Sequence, residues 1–307
     1  MQLTAMAGDT ASFIAGHDPG MSREELIEQT HQRIADFDAL RESLPERPRN
    51  LSSFARDAWS LAGLFHRVKP DAPEIPLFLR IMARAIAADA ARLIPGGGPV
   101  RVDLCKLGTL ELPPTDETPP PLLRVEHITR AYHAAFAAGD KPALALLATA
   151  PIERIANTPP SVEESSYLVL HARGLQMLAG GDIGGNDLLI GAIQGCNSSA
   201  MSEGARTVAR LLASPEIELA LLHGMDDQQA RDRGLPTFDE ALRNALLWHR
   251  HYWTDFEPNP GERHQRRYPE GFIALGPLAW ATLRRDASLP FSKTSDYLPR
   301  SVIESHK

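Results

Sequence analysis

An all-α fold, an irregular, degenerate repeat-like stack of antiparallel helical pairs with one small β-hairpin, is what this 307-residue sequence predicts. Three observations predict it. Apolar residues recur at three- and four-residue steps along most of the chain, the period of a helix with one buried face. Three capping boxes mark helix starts: Ser22 with Glu25, Ser161 with Glu164, and Thr237 with Glu240. In each, the hydroxyl accepts from the N3 amide while the carboxylate accepts from the cap amide. Finally, the period falls to two in one stretch, between Pro99 and Pro113.

After Ser22, the residues Leu26, Ile27, Ile34, Phe37 and Leu40 form the stripe of a first helix, which Pro45 and Pro48 end. A second helix is expected over 52–66, with Phe54, Ala58, Leu61 and Phe65 on one side. A third follows Pro76, runs through Phe78, Ile81, Met82 and Ile86, and stops at Pro95-Gly96-Gly97-Gly98. Val100, Val102 and Leu104 then alternate with Arg101 and Asp103, and Leu110 and Leu112 alternate with Thr109 and Glu111. With Gly108 supplying the turn, this reads as a hairpin. The Pro-rich stretch 113–121 is an extended, solvated linker. It divides the chain into an N-terminal region (1–112), the linker (113–121) and a helical domain (122–307).

Beyond the linker, Val125, Ile128, Tyr132, Ala135 and Phe136 form one stripe. Gly139 is placed as a left-handed terminator, Asp140 as the next N-cap and Pro142 in the first turn that follows. So tight a joint makes the two helices antiparallel neighbours. Further helices are expected over 162–179, 187–195, 200–213, 215–223, 237–256 and 271–286. No fixed repeat length links them.

Composition narrows the function classes. The chain is 43% hydrophobic and 23% charged, enough to bury a sizeable core. No apolar run is long enough to cross a membrane, and the first twenty residues hold no Lys or Arg, so no signal peptide is expected. A net charge of −7 argues against a nucleic-acid binder, which needs cations in excess. Cys105 and Cys196 are too few for a disulfide scaffold or a cysteine zinc knot, and they read as structural thiols in a reducing cytoplasm.

Candidates for chemistry are few. His249 and His251 stand two residues apart, on different sides of a helix, and therefore do not share a metal ion. His249 falls on the stripe of Phe238, Leu242, Ala245 and Tyr252 and reads as a hydrogen-bonded core residue, while His251 joins a polar outer face. Trp248, Tyr252, Trp253 and Phe272 are expected to pack between helices. The run Gly180-Gly181-Asp182-Ile183-Gly184-Gly185 lacks the preceding strand of a dinucleotide fingerprint and the following Lys of a Walker loop, so it reads as a helix end. No Gly-x-Ser-x-Gly elbow is present. No catalytic, metal or cofactor site emerges.

A resemblance enters through the last three-fifths of the chain. An alanine-rich helix with Phe136 and Gly139-Asp140 is followed by the His249–Trp253 helix. Then come Pro269-Glu270-Gly271-Phe272-Ile273-Ala274-Leu275 and Ser295-Asp296-Tyr297-Leu298-Pro299-Arg300. This order, over about 122–303, resembles the immunity protein 49 family, helical antidotes of bacterial polymorphic toxin systems that serve in interbacterial competition. Tyr297 and Leu298 are expected to pack the chain end onto the helices, and Pro299 to stop the last turn. The resemblance implies a cytoplasmic, non-enzymatic protein that binds one toxin stoichiometrically and occludes it. Two other readings fit the same residues: a helical-pair adaptor with an endogenous partner, and an α-helical enzyme using His249 or His251.

Many antibacterial toxins act on nucleic acids or nucleotides and so have basic clefts, which an acidic face would complement. The segment 203–240 carries eight acids against four arginines. Within it, Asp226 and Asp227, after Gly224, are the most protruding candidates for toxin contact, with Glu216 and Glu218 next.

Overall fold

The computed structural model describes residues 13–114, 123–157, 166–255, 264–292 and 294–305. After β1 (Phe13–Ile14), α1 (Arg23–Ser43) begins at the Ser22 box, where Ser22 Oγ accepts from Glu25 N at 3.1 Å and Glu25 Oε2 accepts from Ser22 N at 2.6 Å. α1 buries little beyond Leu26, Thr30 and Phe37, and it lies on α2 (Leu51–Val68) as an outer helix. Phe37 anchors it, stacked on Phe54 at 4.4 Å and edge-on to Phe78. α3 (Glu74–Ala91) starts two residues before Pro76 rather than after it. A proline is tolerated in a first turn, whose amides have no helical acceptor.

The hairpin forms where the period-two pattern lies. β2 (Val100–Asp103) and β3 (Thr109–Leu112) pair antiparallel, Val100 opposite Leu112, around a 3₁₀ turn at Cys105–Leu107 and Gly108 at φ 93°. Arg84 of α3 ties the hairpin to the next corner: it donates to Asp103 at 2.9 Å and to the buried Asp140 at 2.6 Å.

α4 (Val125–Ala138) ends on the left-handed Gly139, and Asp140 caps α5 (Lys141–Leu147) by accepting from Ala143 N at 3.3 Å. α4 is the centre of the body. Its alanines 131, 134, 135, 137 and 138 are buried, and α3, α5, α7 and α13 all pack against it. The apolar core is continuous from α2 and α3 through α4 to α13.

α6 (Ile152–Ala156) leads to α7 (Ser166–Ala179) and α8 (Gly185–Gly195), a pair turned by Gly180 and Gly181. The Ser161 box lies outside the described residues. Next, α9 (Glu203–Val208), a π-helical turn (Ala209–Ala213) and α10 (Ser214–Leu222) form one continuous helical run where a break near residue 214 is expected. Pro215 has no N–H to donate and its ring crowds the preceding turn, and the widened turn takes it up. α11 (Asp227–Asp232), too short for a periodicity signal, is capped by Asp226 and precedes α12 (Phe238–Thr254) on the Thr237 box.

α13 (Leu275–Asp286) is preceded by 3₁₀ turns at Gln265–Arg267 and Pro269–Phe272, so the helix expected from 271 starts four residues later. A second small sheet is present outside 99–112: β4 (Thr294–Ser295) pairs in parallel with β1. A two-residue contact between the two ends of the chain leaves no periodic trace in the sequence. Tyr297 and Leu298 are buried as expected, while Pro299 opens α14 (Arg300–Ile303) rather than stopping a helix.

The crowding around α4 has a measurable consequence. Ala134→Leu inserts volume where the side chain is fully buried, and it is expected to cost about 1–3 kcal/mol. Ala145→Leu on the exposed side of α5 is expected to stay within about 0.5 kcal/mol of the parent. Urea unfolding of both variants checks this, and equal midpoints would remove α4 from its central role.

Candidate functional site

The N-terminal half of α4 differs from its alanine half. Glu126, Thr129, Arg130 and His133 fall at i, i+3, i+4 and i+7, one face of the helix. This face forms one wall of a cleft of about 430 Å³. Arg56 and Trp59, three apart on α2, form a second wall, and His249, Tyr252 and Trp253 of α12 a third. α7 supplies Tyr167 and His171, the π turn and α10 supply Leu212 and Glu216, and the turns before α13 supply Gln265, Tyr268 and Glu270.

The floor holds three titratable groups in close quarters. His133 Nδ1 lies 3.8 Å from Glu216 Oε2, and the His133 and His171 rings are 5.7 Å apart. Burial holds both imidazoles neutral: His171 is pushed down to about 3, and His133 falls well below 6.5, with the neighbouring His171 and Arg130 adding to the effect. Burial also pushes the Glu216 carboxyl up to about 8, against the pull of Arg130 and a hydrogen bond from the Gly276 backbone. The carboxyl reaches this place because residue 276 is glycine: a Cβ there would sit 2.4 Å from Glu216 Cδ.

The walls are aromatic and incompletely bonded. Arg130 lies over the Trp59 ring at 5.0 Å, and Trp253 packs against Gly271, where a Cβ would lie 2.5 Å from the indole. Glu270 accepts from Ser60 Oγ at 2.7 Å through one oxygen. Among the described residues, six buried atoms of the cleft have no hydrogen-bond partner: His133 Nε2, His171 Nε2, Trp59 Nε1, Trp253 Nε1, Gln265 Oε1 and the second Glu270 oxygen. His249, by contrast, is satisfied. Its Nε2 meets Gly271 O at 2.9 Å, as a core histidine should, and burial pushes it down to about 3. His251 pairs with Asp255 on the outer side.

The four acidic candidates are separated. Glu216 is in the cleft floor, its side chain 22% exposed. Glu218, two residues on, points to another side of α10, and its burial raises its carboxyl. Asp226 and Asp227 do come together, exposed at the start of α11. Asp226 accepts from Gln229 N at 2.8 Å, and Asp227 lies 3.3 Å from the buried Arg284. Phe272 is in the core, but Trp248, Tyr252 and Trp253 are half-buried, contrary to the expectation of inter-helix packing alone. Tyr252 and Trp253 line the cleft, and Trp248 lines a hollow with Arg206 and His251. Their spacing defines a stripe and not what the stripe faces. His133, Trp59 and Glu270 escaped the sequence reading; the polar i, i+3, i+4, i+7 series on an otherwise alanine-rich helix was the available signal.

No group of three or more His, Cys, Asp or Glu able to hold a metal occurs among the described residues, and no helix among them is long and apolar enough to cross a membrane. Both cysteines are free, and burial pushes Cys196 up to about 12, which leaves it an inert thiol. Packed helical pairs around a preformed cleft with unmet donors and acceptors have the anatomy of a small-molecule site.

The family is defined by direct comparison. The family model described as Immunity protein 49 matches residues 69–302, and the chain belongs to that family. The match extends further toward the N-terminus than the resemblance over 122–303, and it takes in α3, the hairpin and the Pro-rich stretch. All walls of the cleft except Arg56, Trp59 and the rest of α2 lie within it. No curated protein and no solved structure matches the chain.

The buried carboxyl makes a pH prediction. Below its ordinary 4.5, Glu216 is protonated whether folded or unfolded; between 4.5 and about 8 only the folded state keeps the proton. Folding is therefore progressively weakened as pH rises through that window. Glu216→Gln is expected to gain stability relative to the parent across the same window, read as the difference between urea midpoints. A difference that does not change with pH would show that Glu216 is solvated and ordinary.

Proposed function

We propose that this protein is an antidote that neutralises one cognate antibacterial toxin by stoichiometric binding, in the cytoplasm of the cell that carries it. Membership of the immunity protein 49 family over 69–302 is the observation that carries this reading. Binding, rather than catalysis, is the mode of action: burial makes the cleft's imidazoles weak bases, far from the pKa a general base needs, and His249 is committed to Gly271. The protein meets its toxin through a rigid, preformed surface, so little ordering entropy is lost on association.

The contact surface includes the corner at Asp226 and Asp227. Two adjacent exposed carboxylates project there, one fixed as a helix cap and the other held by Arg284. Glu216 and Glu218, one helix away, belong to the same acidic segment. Such a corner suits a toxin whose active-site cleft is basic, since opposite potentials speed encounter and block the place of a phosphate.

The test uses Asp226→Asn with Asp227→Asn, because asparagine keeps the capping acceptor while removing the charge. With the toxin domain encoded beside this protein, the variant is expected to associate more slowly, with a flatter dependence on salt; its unfolding midpoint is expected to fall, because the buried Arg284 loses its counter-charge, and association is read below that midpoint. An unchanged association rate at low salt would place the interface elsewhere. Failure of the parent to bind or protect against that toxin would overturn the antidote reading itself.

A further inference from the structure

The buried polar groups of the body include paired ions and, among the described residues, eight scattered unpartnered atoms, Tyr132 OH and Trp280 Nε1 among them. Arg284, 1% exposed, donates to the carbonyls of Leu222, Met225 and Pro290, and Asp89 is met by Ser52 and Arg92. The cleft gathers six more in one place. His133 and His171, each only 2% exposed, line the cleft, and each has an unpartnered Nε2. Above them, the indole N–H groups of Trp59 and Trp253 are fixed donors, and Gln265 Oε1 and the second Glu270 oxygen are fixed acceptors, all without partners among the described residues.

We propose that this cleft is a binding site for a nucleoside monophosphate, with the heterocyclic base inserted between the tryptophans and the phosphate at the arginines of the mouth. This goes beyond the antidote reading and does not rest on it.

Three features select that chemistry. The cleft lining holds both unmet donors and unmet acceptors, so the complementary guest is a ring whose edge offers both; a hydrocarbon or a simple anion would leave half of them unmet. The walls are aromatic, and a flat base stacks on indole faces. The mouth is cationic. Arg130 lies over Trp59, and the exposed Arg56 makes no hydrogen bond or ion pair among the described residues. A neighbouring hollow of about 220 Å³ shares Arg56, Trp59, Glu126 and Arg130 with the cleft and adds Arg124, a third guanidinium, and His127, which burial pushes down to about 4 and so holds neutral. Guanidinium groups are the usual partners of phosphate oxygens. Two carboxylates oppose them: Glu126, 3.8 Å from Arg130, and Glu270, whose first oxygen is taken by Ser60.

The same features disfavour other guests. An alkylammonium or guanidinium group would meet Arg56 and Arg130 on entry. A metal ion lacks a ligand set among the described residues. The volume of about 430 Å³ falls in the range of small-molecule sites rather than of a flat protein interface.

Isothermal titration of the full-length chain with AMP, GMP, CMP and UMP tests the proposal, with the matching nucleosides and inorganic phosphate as separate arms and tryptophan fluorescence as a second readout. At least one nucleotide is expected to bind one to one and to change the tryptophan emission. Its nucleoside is expected to bind about tenfold or more weakly, and phosphate alone not measurably. Arg56→Ala, at an exposed position, is expected to weaken the nucleotide about tenfold and to leave the nucleoside unchanged. Trp253→Phe keeps the packing but removes the indole N–H, and it is expected to weaken nucleotide and nucleoside alike. The proposal is overturned if none of the four nucleotides binds at about 1 mM, if phosphate binds as well as the nucleotide, or if either substitution leaves nucleotide affinity intact.

Discussion

The architecture depends on how closely other helices can approach α4. Its C-terminal half carries buried alanines on several sides, so α3, α5, α7 and α13 all pack against it, with Tyr132 and Phe136 as the large side chains between them. Close approach maximises dispersion contacts and leaves no space for water. The same helix cannot be packed this way along its whole length. Glu126, Thr129, Arg130 and His133 need polar partners or solvent, and they line the cleft. The dry core and the cleft thus meet on different faces of one helix, and the polar series along α4 marks the face where the body opens.

Desolvation governs the electrostatics. Arg284 is tolerated inside the body because its donors reach carbonyls at the ends of α10 and α13, its charge is near Asp227 and its plane lies 4.6 Å from the Phe238 ring centroid. It joins α10, α11, α12 and α13, so the acidic corner is anchored to the core through a cation. Histidines obey the same rule from the other side. His17, bonded to Tyr297 and the Arg266 carbonyl, and His249, bonded to Gly271, are both held neutral by burial and serve as internal cross-links between distant parts of the chain. Against this background six unmet buried atoms are gathered in the cleft.

Glycine makes two of these approaches possible. Gly63 of α2 runs so close to the turn before α13 that a Cβ would meet the Pro269 carbonyl at 2.0 Å. Gly276 admits the Glu216 carboxyl at the start of α13 in the same way. Neither position has an unusual backbone; what each needs is the absence of a side chain, which lets α2 and α10 press against the 269–276 segment and close the cleft from below.

The sequence by itself determined the helices whose signals are local. The Ser22 and Thr237 boxes, the Gly139-Asp140-Pro142 corner, the period-two hairpin and the core position of His249 each depend on residues within a turn or a strand of one another. The short α11, the π turn ahead of Pro215, the pairing of β1 with β4 and the partial exposure of Trp253 were not legible in that way. Tertiary structure alone decided the cleft. It draws Trp59, His133, His171, Glu216 and Glu270 from five separate segments, and each of these residues taken singly has the spacing of an ordinary helix or loop position. Periodicity records that a side chain faces inward; whether it then meets a hydrophobic neighbour, a hydrogen-bond partner or an open cavity depends on how distant helices pack, because burial and pairing are properties of the assembled neighbours and not of the local chain.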